Sequence, residues 1–182
     1  MKRLQRMGLA LTLAVLMVLS FTIPAFAGSN PTVAITVTAE VVSITNDKDT
    51  WGIGTITVDA VVYFSATGTE DDDYSQIENT GNVAVDVEIQ GTDIEGGDYD
   101  WTLSNTGTAG SETYALHANS EATPTVYDVI VKSESYTDIC TNLAASGTYD
   151  WSMKFTAPTA FNAADDGLEK SSTVTLVATK HT

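Results

Sequence analysis

The chain has 182 residues, and its 24 acidic residues against eight Lys and Arg give a formal net charge of −16 at pH 7. A field of that sign repels nucleic acid and anionic membrane surfaces, so we expect neither as a partner. The single cysteine, Cys140, has no second cysteine for an internal disulfide, so packing has to stabilise the fold.

Residues 1–27 have the pattern of a secretory signal peptide. Three basic residues at the start are followed by an apolar run over residues 8–23, and Ala25 and Ala27 form an A-x-A cleavage pattern. The run is short for a spanning helix, so no integral membrane span is expected in the mature chain. The sequence predicts a secreted protein, extracellular or at the cell surface, with one domain over residues 28–182.

A second interpretation of the N-terminus is a prepilin-type signal cut after Gly8. It would retain the apolar stretch as a filament-forming helix and make the chain a prepilin-like filament subunit. Leu13 stands where a type IV pilin usually carries Glu, which favours the secretory signal.

The region after the signal alternates apolar and polar residues between clusters of Gly, Asn, Asp and Thr, which is typical of strands and turns. In four runs, every second residue is apolar, so these residues would lie on one face of a strand. They are Val33, Ile35, Val37, Ala39 and Val41; Ile56, Val58, Ala60, Val62 and Phe64; Val83, Val85, Val87 and Ile89; and Val174, Leu176 and Ala178. The pattern predicts an all-β fold, a single antiparallel β-sandwich of about eight or nine strands, Ig-like or jelly-roll-like. "NTGN" ahead of the third run predicts a tight turn, in which Gly81 is able to take positive φ.

The tripeptide "YDW" occurs at residues 99–101 and again at residues 149–151. The first copy predicts a strand with Tyr99, Trp101 and Leu103 on one face. The second predicts Tyr149, Trp151, Met153 and Phe155 inward, with Asp150, Ser152, Lys154 and Thr156 outward. Buried Trp and Tyr contribute large areas to a sandwich core, so both copies are interpreted as core strands.

Several stretches of the chain resemble the Ig-like domains of secreted and surface proteins of bacteria and archaea: "WGIGTITVDA", "IENTGNVAVDVEI", "LAASGTYDWSMKFTAPTA" and "STVTLVAT". The resemblance covers most of residues 50–179, and it implies a structural, adhesive or interaction module without catalysis. Trp101-Thr102-Leu103 is also similar to the W-x-L motif of cell-wall-binding WxL domains, whereas residues 151–153 carry Met in place of Leu. Size, signal peptide and β content are similar to secreted fibre proteins of the TasA and camelysin type.

Acidic loops supply candidate metal ligands. Asp71, Asp72 and Asp73 form one cluster, and Asp93, Glu95 and Asp98 form another. Calcium favours such oxygen clusters on turns, so Ca²⁺ is a candidate cofactor, although neither cluster follows the D-x-D-x-D-G loop.

The sequence contains no G-x-S-x-G, H-E-x-x-H, phosphate-loop or dinucleotide motif, and its two histidines lie far apart, so we expect no enzyme. The leading hypothesis is a non-catalytic, surface-associated structural or adhesion protein that self-assembles through sheet edges, with residues 30–42 as one candidate edge segment. The alternative is a module that binds cell wall or glycan through an exposed aromatic. Trp51 is then the candidate contact, because the glycines of "WGIG" can bend the strand and expose its ring. The expected partner is thus a protein or a cell-envelope polysaccharide.

Overall fold

The computed structural model describes residues 36–64, 74–120, 126–165 and 167–182. The chain divides into two units, Met1–Thr38 and Ala39–Thr182, and the fold below is that of the second. The predictions for the signal peptide, the prepilin-type signal, Val33, Ile35 and Asp71–Asp73 lie outside the described residues.

The fold is all-β, as the alternating pattern predicted. The described part contains eleven strands, one 3-10 turn over Ala163–Asp165 and no α-helix. The strands are β1 (Ile44–Asn46), β2 (Val61–Tyr63), β3 (Ser75–Asn79), β4 (Val85–Gly91), β5 (Thr102–Leu103), β6 (Thr113–Ala118), β7 (Val129–Val131), β8 (Thr137–Leu143), β9 (Thr148–Trp151), β10 (Met153–Thr156) and β11 (Val174–Lys180). Several have only two to four residues, which is why turn signals alone gave a lower number.

The strands form three sheets. Sheet 1 has the order β1-β3-β9, sheet 2 has β2-β10-β6-β5 with β7 also on β6, and sheet 3 has β11-β4-β8. All named strands pair antiparallel except β5 with β6. Apolar residues of all three sheets meet in one core cluster, so the layers form a sandwich around a common interior.

Strand β4 behaves as its sequence predicts. Val85, Val87 and Ile89 are fully buried, while the residues between them are only partly buried. β4 is the centre of sheet 3, because β11 and β8 pair with its two edges. Burial of one face fixes its register, since a slip by one residue would move all three apolar side chains to the opposite face.

The predicted first strand is wrong over its described part. Residues 36–43 form no strand, and Val41 is 48% exposed. The backbone here bonds to the turn after β3: the Asn82 side chain accepts from Val41 N and donates to Ala39 O, each at 2.7 Å. Glycine is needed at position 81 because a Cβ there would lie 2.2 Å from Val41 O, and not because the backbone has positive φ.

The second predicted strand is also shorter than expected. Only Val61–Tyr63 pairs as strand, and Val58 is exposed. A turn interrupts the run, with Asp59 at φ 58° and a hydrogen bond from Ala60 N to Thr57 O. The apolar residues alternate on both sides of this turn, so the sequence pattern predicted one long strand where the structure has a turn and a short strand.

The two "YDW" copies differ. Tyr149, Trp151, Met153 and Phe155 are all buried as predicted, whereas Tyr99 of the first copy is 48% exposed. Gly96 and Gly97 precede Tyr99 at φ 120° and 77°, so the chain turns there and the strand begins only at Thr102. Trp101 and Leu103 are buried as expected.

Ser152 was predicted to face water, and it is instead buried at the point where the chain passes from sheet 1 to sheet 2. Its N–H donates to Asn119 Oδ1 at 2.6 Å, and its hydroxyl donates to Phe64 O at 3.2 Å. These bonds replace the ladder bonds that a continuous strand would make, so β9 and β10 pair with different neighbours. The corner keeps Trp151 and Phe155 on the same interior side.

Candidate functional site

One candidate site in the described part of the chain is a cavity of about 980 Å³ that reaches into the sandwich interior. One wall consists of Asn46 and residues 48–56, and the other consists of residues 167–172 with Val174 and Leu176. Its floor includes Tyr114 of β6, Trp151 of β9 and Phe155 of β10. We call it the aromatic groove. Its volume lies at the upper end of ordinary ligand pockets, which span roughly 300–1,000 Å³.

Trp51 lies in one wall of the aromatic groove, half-buried rather than fully exposed. Its ring meets Phe64 edge-on, with centroids 5.3 Å apart, and Phe64 in turn packs against Trp151 at 5.9 Å. Edge-to-face contacts of this kind stabilise by about 0.5–1.5 kcal/mol beyond area burial. The predicted contact residue is therefore part of a packed aromatic row that is open to the groove at one end.

Trp101 lies at the opposite side of the aromatic groove, enclosed by two neighbours. Phe161 stacks on its ring at 4.9 Å with an interplanar angle of 5°, and Lys170 Nζ lies 5.4 Å from the ring centroid. Lys170 also donates to Gly96 O at 2.5 Å and to Tyr99 O. The ring is thus occupied by packing and by a cation–π contact, which leaves Trp51 as the better placed tryptophan for an external ligand.

A polar cluster fixes the start of the wall that carries Trp51. Trp151 Nε1 donates to Asn46 Oδ1 at 2.9 Å, and the Ser75 hydroxyl lies 2.7 Å from the same oxygen and 2.6 Å from Asp47 Oδ1. The Ser75 hydroxyl, with the N–H of Gln76, holds the pKa of Asp47 below its usual value although burial opposes it. The wall is therefore anchored to sheet 1 where it leaves β1.

The floor is anchored to sheet 3 by Tyr114. Its hydroxyl donates to the carbonyl oxygen of Thr92, just beyond the end of β4. Burial raises the pKa of this phenol to about 12, so it stays a neutral donor at any physiological pH. Tyr114 also stacks on Phe155 at 5.5 Å, which gives the floor a rigid apolar surface.

One edge of the groove is a strand with an open side. β11 pairs with β4 along its whole length, and its backbone shows no second strand partner among the described residues. Two backbone hydrogen bonds flank β11: Thr92 N donates to Thr173 O, and His181 N donates to Ala84 O. They show that the odd-numbered residues of β11 direct their backbone N–H and C=O groups toward β4. In an antiparallel pair the intervening residues then direct N–H and C=O away from the partner. Val174 and Leu176 are such residues, and both line the groove.

The acidic candidates do not converge. Asp93 Oδ1 accepts from Leu103 N at 2.7 Å, and the Glu95 backbone exchanges two hydrogen bonds with Ser171. Across the described ranges, no three His, Cys, Asp or Glu side chains form a group that could hold a metal ion, and calcium binding by Asp93, Glu95 or Asp98 stays a prediction. The cluster at Asp71–Asp73 lies outside those ranges, and calcium binding there stays a prediction.

Sequence reasoning selected Trp51 as a candidate contact, which stays a prediction, and it did not predict the groove or two residues that shape it. Phe161 and Lys170 come from the loop ahead of β11, far from Trp101 in sequence. The signal that points to Phe161 is a single large apolar residue in a stretch of small and polar residues, "TAFNAADDG". Nothing in the local pattern of Lys170 indicates its contact with Trp101.

Comparison with known proteins adds no further constraint on function. The chain matches no known family, and no curated protein matches it. No helix in the described part of the chain is long and apolar enough to span a membrane.

Proposed function

We propose that this chain is a secreted, cell-surface-associated, non-catalytic structural or adhesion protein that assembles by accepting an extended protein segment along β11. The observation that carries the proposal is the open backbone edge of β11 beside the aromatic groove. An added strand would pair with that edge, and its alternate side chains would enter the groove. The resemblance to Ig-like surface domains agrees with such a role.

Two contributions make this edge a favourable binding surface. Backbone hydrogen bonds to β11 supply affinity that depends little on sequence, and side-chain burial in the groove supplies selectivity. Each apolar side chain that enters adds about 25 cal/mol per Å² of surface removed from water. The floor of Tyr114, Trp151 and Phe155 is already rigid, so little ordering entropy is lost there when a segment binds.

The open edge also needs explanation, because exposed edges usually carry devices that prevent pairing. Natural proteins protect edges with Lys, Pro, bulges or a covering loop. In β11 the sequence is VTLVATK, with a single Lys at its end and no Pro. Its pairing with β4 is regular over seven residues. Among the described residues, no second strand, Pro or bulge protects this regular, half-buried edge, which favours its use over mere tolerance of it.

The test compares two substitutions at Leu176, which lies at the middle of the open edge. Leu176→Pro removes the outward N–H without removing a bond to β4, and Leu176→Ala removes a similar amount of side chain while keeping that N–H. We expect wild-type protein to form oligomers or filaments at high concentration by light scattering and electron microscopy. Leu176→Ala should assemble more weakly and Leu176→Pro not at all.

Thermal melts of both variants serve as the folding control, and Val174→Pro, at the first position of β11, is the substitute if Leu176→Pro does not fold. Wild-type protein that stays monomeric at all concentrations and salt conditions would refute the proposal. Equal assembly by the Pro and Ala variants would show that the β11 edge is not used.

A second candidate function is binding of cell-wall or other envelope polysaccharide, and the half-buried ring of Trp51 in the groove wall favours it. Retention on peptidoglycan or polysaccharide that is lost in Trp51→Ala and kept in Leu176→Pro would support this function over strand addition. No retention of wild-type protein would exclude it for the polysaccharides used.

A further inference from the structure

We infer that residues 104–110 form a pH-sensitive cover on sheet 2, which neutral His117 holds closed and protonated His117 releases. We call these residues the cover loop. They lie in the connection between β5 and β6. The support for this switch is the packing of the cover loop on His117, the lack of an acceptor for the imidazole, and a like charge beside it.

His117 lies on the outer face of sheet 2. Its neighbours in β6, Leu116 and Ala118, are buried in the core, so the side chain of His117 points the other way. His117 pairs in register with Lys154 of β10 on one side and with Ile130 of β7 on the other. Because Leu116 lines the aromatic groove, His117 is on the opposite face of the sheet. The switch is therefore separate from the groove and from the proposed function.

The cover loop packs on His117 through Gly107. This glycine has φ 75°, and a Cβ there would lie 2.7 Å from His117 Nε2 and 2.9 Å from Ile130 Cγ1. The loop backbone thus packs directly against both side chains, with no room for a side chain of its own. Among the described residues, the hydrogen bonds of residues 106–109 reach only Ser104, within the loop. Packing alone therefore holds the middle of the loop against the sheet.

A proton on His117 would find no acceptor in the closed arrangement. The Nδ1 atom of His117 is buried and makes no hydrogen bond to the described residues. Burial, and then the charge of Lys154, lower the pKa of His117 from its ordinary value of 6.5. An imidazolium here would have an unsatisfied buried N–H and a like charge beside it, and both are unfavourable. The cover loop has no charged residue to compensate.

The other titratable groups near this face do not change that balance. Asp128 and Lys132 come directly before and after β7, and their opposite charges act against each other at His117. Tyr63 of β2 pairs with Lys154, and a phenol stays neutral at the pH values that protonate a histidine. Among the described residues, Lys154 is thus the charged group directly opposite His117 in register.

Opening of the cover loop removes the penalty, because His117 then reaches water. In the open state it titrates near its ordinary pKa, whereas in the closed state it stays neutral to lower pH. The open state therefore binds more protons, so the closed loop is most stable above about pH 6.5 and loses stability as pH falls toward the closed-state pKa. Each pH unit between the two pKa values changes the opening equilibrium about tenfold.

Hydrogen exchange of the cover loop, measured by mass spectrometry on wild-type protein and His117→Gln, tests the switch. The loop sequence is the same in both proteins, so intrinsic exchange rates cancel at any one pH. We expect the ratio of wild-type to variant exchange to rise about tenfold from about pH 7.5 to about pH 5, because Gln takes up no proton. His181→Gln removes the other histidine of the chain and is the matched control, which should behave as wild type does.

Proton NMR supplies a second measurement that does not depend on folding of His117→Gln. In His181→Gln the remaining imidazole is that of His117, and its pKa should lie below 6.5. Lys154→Gln, added to that protein, should raise this pKa and reduce the acid-induced exchange of the cover loop, an effect that loss of packing alone would not produce.

Three outcomes would overturn the inference. One is a pKa of His117 at or above 6.5, and another is the same exchange ratio of wild type to His117→Gln at both pH values. The third is an acid-induced increase in exchange that is as large in β4 and β6 as in the cover loop, because global unfolding would then explain it.

Discussion

Replacement of Asn79 by Ala should be among the most destabilising polar-to-Ala changes in this fold. Asn79 is the last residue of β3, and its side chain is fully buried. Its Nδ2 group donates to Leu143 O and Val83 O, both at 2.9 Å, and lies 3.1 Å from Ala144 O. Its Oδ1 accepts from Gly81 N at 3.0 Å. One amide thus joins the end of sheet 1 to the end of β8 in sheet 3.

The decrease in the free energy of unfolding for Asn79→Ala can be worked out from the polar groups that lose a hydrogen-bond partner. A net contribution of about 1 kcal/mol per hydrogen bond gives roughly 3–4 kcal/mol for this set, and a carbonyl left buried and unsatisfied costs about 1–3 kcal/mol by itself. Leu143 O is buried, whereas the bonds to Val83 and Ala144 are only partly buried, so water can replace part of the loss. We therefore expect a decrease of about 3 kcal/mol in the free energy of unfolding.

Urea denaturation measures this loss, and Asn82→Ala is the matched control. Asn82 lies three residues away, and its two hydrogen bonds are exposed, so its loss should stay near 0.5 kcal/mol. For a chain of this size 3 kcal/mol corresponds to about 6–12 °C in melting temperature. A decrease below about 1 kcal/mol for Asn79→Ala, or one equal to that of Asn82→Ala, would refute the assignment of Asn79 as the buried junction.

Two further predictions concern titratable groups. The N–H of Asn142 and then His181 lower the pKa of Asp86 from 3.8, against the effect of desolvation. The unfolded chain therefore binds more protons near that pH, so the contribution of Asp86 is present above its unfolded pKa and lost as pH falls through its folded pKa. Asp86→Asn should flatten the acid limb of unfolding midpoints measured in urea, and an unchanged acid limb would contradict this. Burial first, and Asp86 second, raise the pKa of Cys140 to about 11 from 9.0. At pH 8 the native thiol should react with a disulfide reagent roughly 100-fold more slowly than the unfolded chain does, and equal rates would show an exposed thiol.

The fold class was predictable because the alternation of apolar and polar residues along a strand indicates which face is buried. In β4 every second residue is apolar and fully buried, and β9 with β10 repeats that rule from Tyr149 to Phe155. Alternation on one face is a consequence of strand geometry alone, so it can be read without knowledge of the partner strand. The all-β sandwich follows from several such runs in one domain.

The errors arose where a polar side chain or a turn competes with strand pairing. Residues 36–43 alternate like a strand, yet the Asn82 side chain takes the backbone bonds that a strand partner would otherwise make. Ser152 follows the outward pattern, yet Asn119 accepts its N–H inside the core and turns the chain into another sheet. Both partners lie more than 30 residues away in sequence, so no local pattern contains them.

The candidate site was only partly predictable for a similar reason. Trp51 was selected from its glycine neighbours, and it does lie in a groove wall. Its partner Phe64, the floor at Tyr114 and the open edge of β11 come from three different sheets or loops. Periodicity indicates which residues point inward, but it does not show which part of the interior remains uncovered.

If an extended segment adds to β11 as proposed, folding and assembly of this protein should be coupled. Native copies offer the open β11 edge and the aromatic floor, whereas an unfolded chain offers neither, so a segment that binds there stabilises the native state by mass action. The melting temperature of wild-type protein should then rise with protein concentration, and that of Leu176→Pro should not. Trp151 and Phe155 are already buried in the single chain, so an added strand would gain mainly from the β11 backbone and the half-buried ring of Trp51.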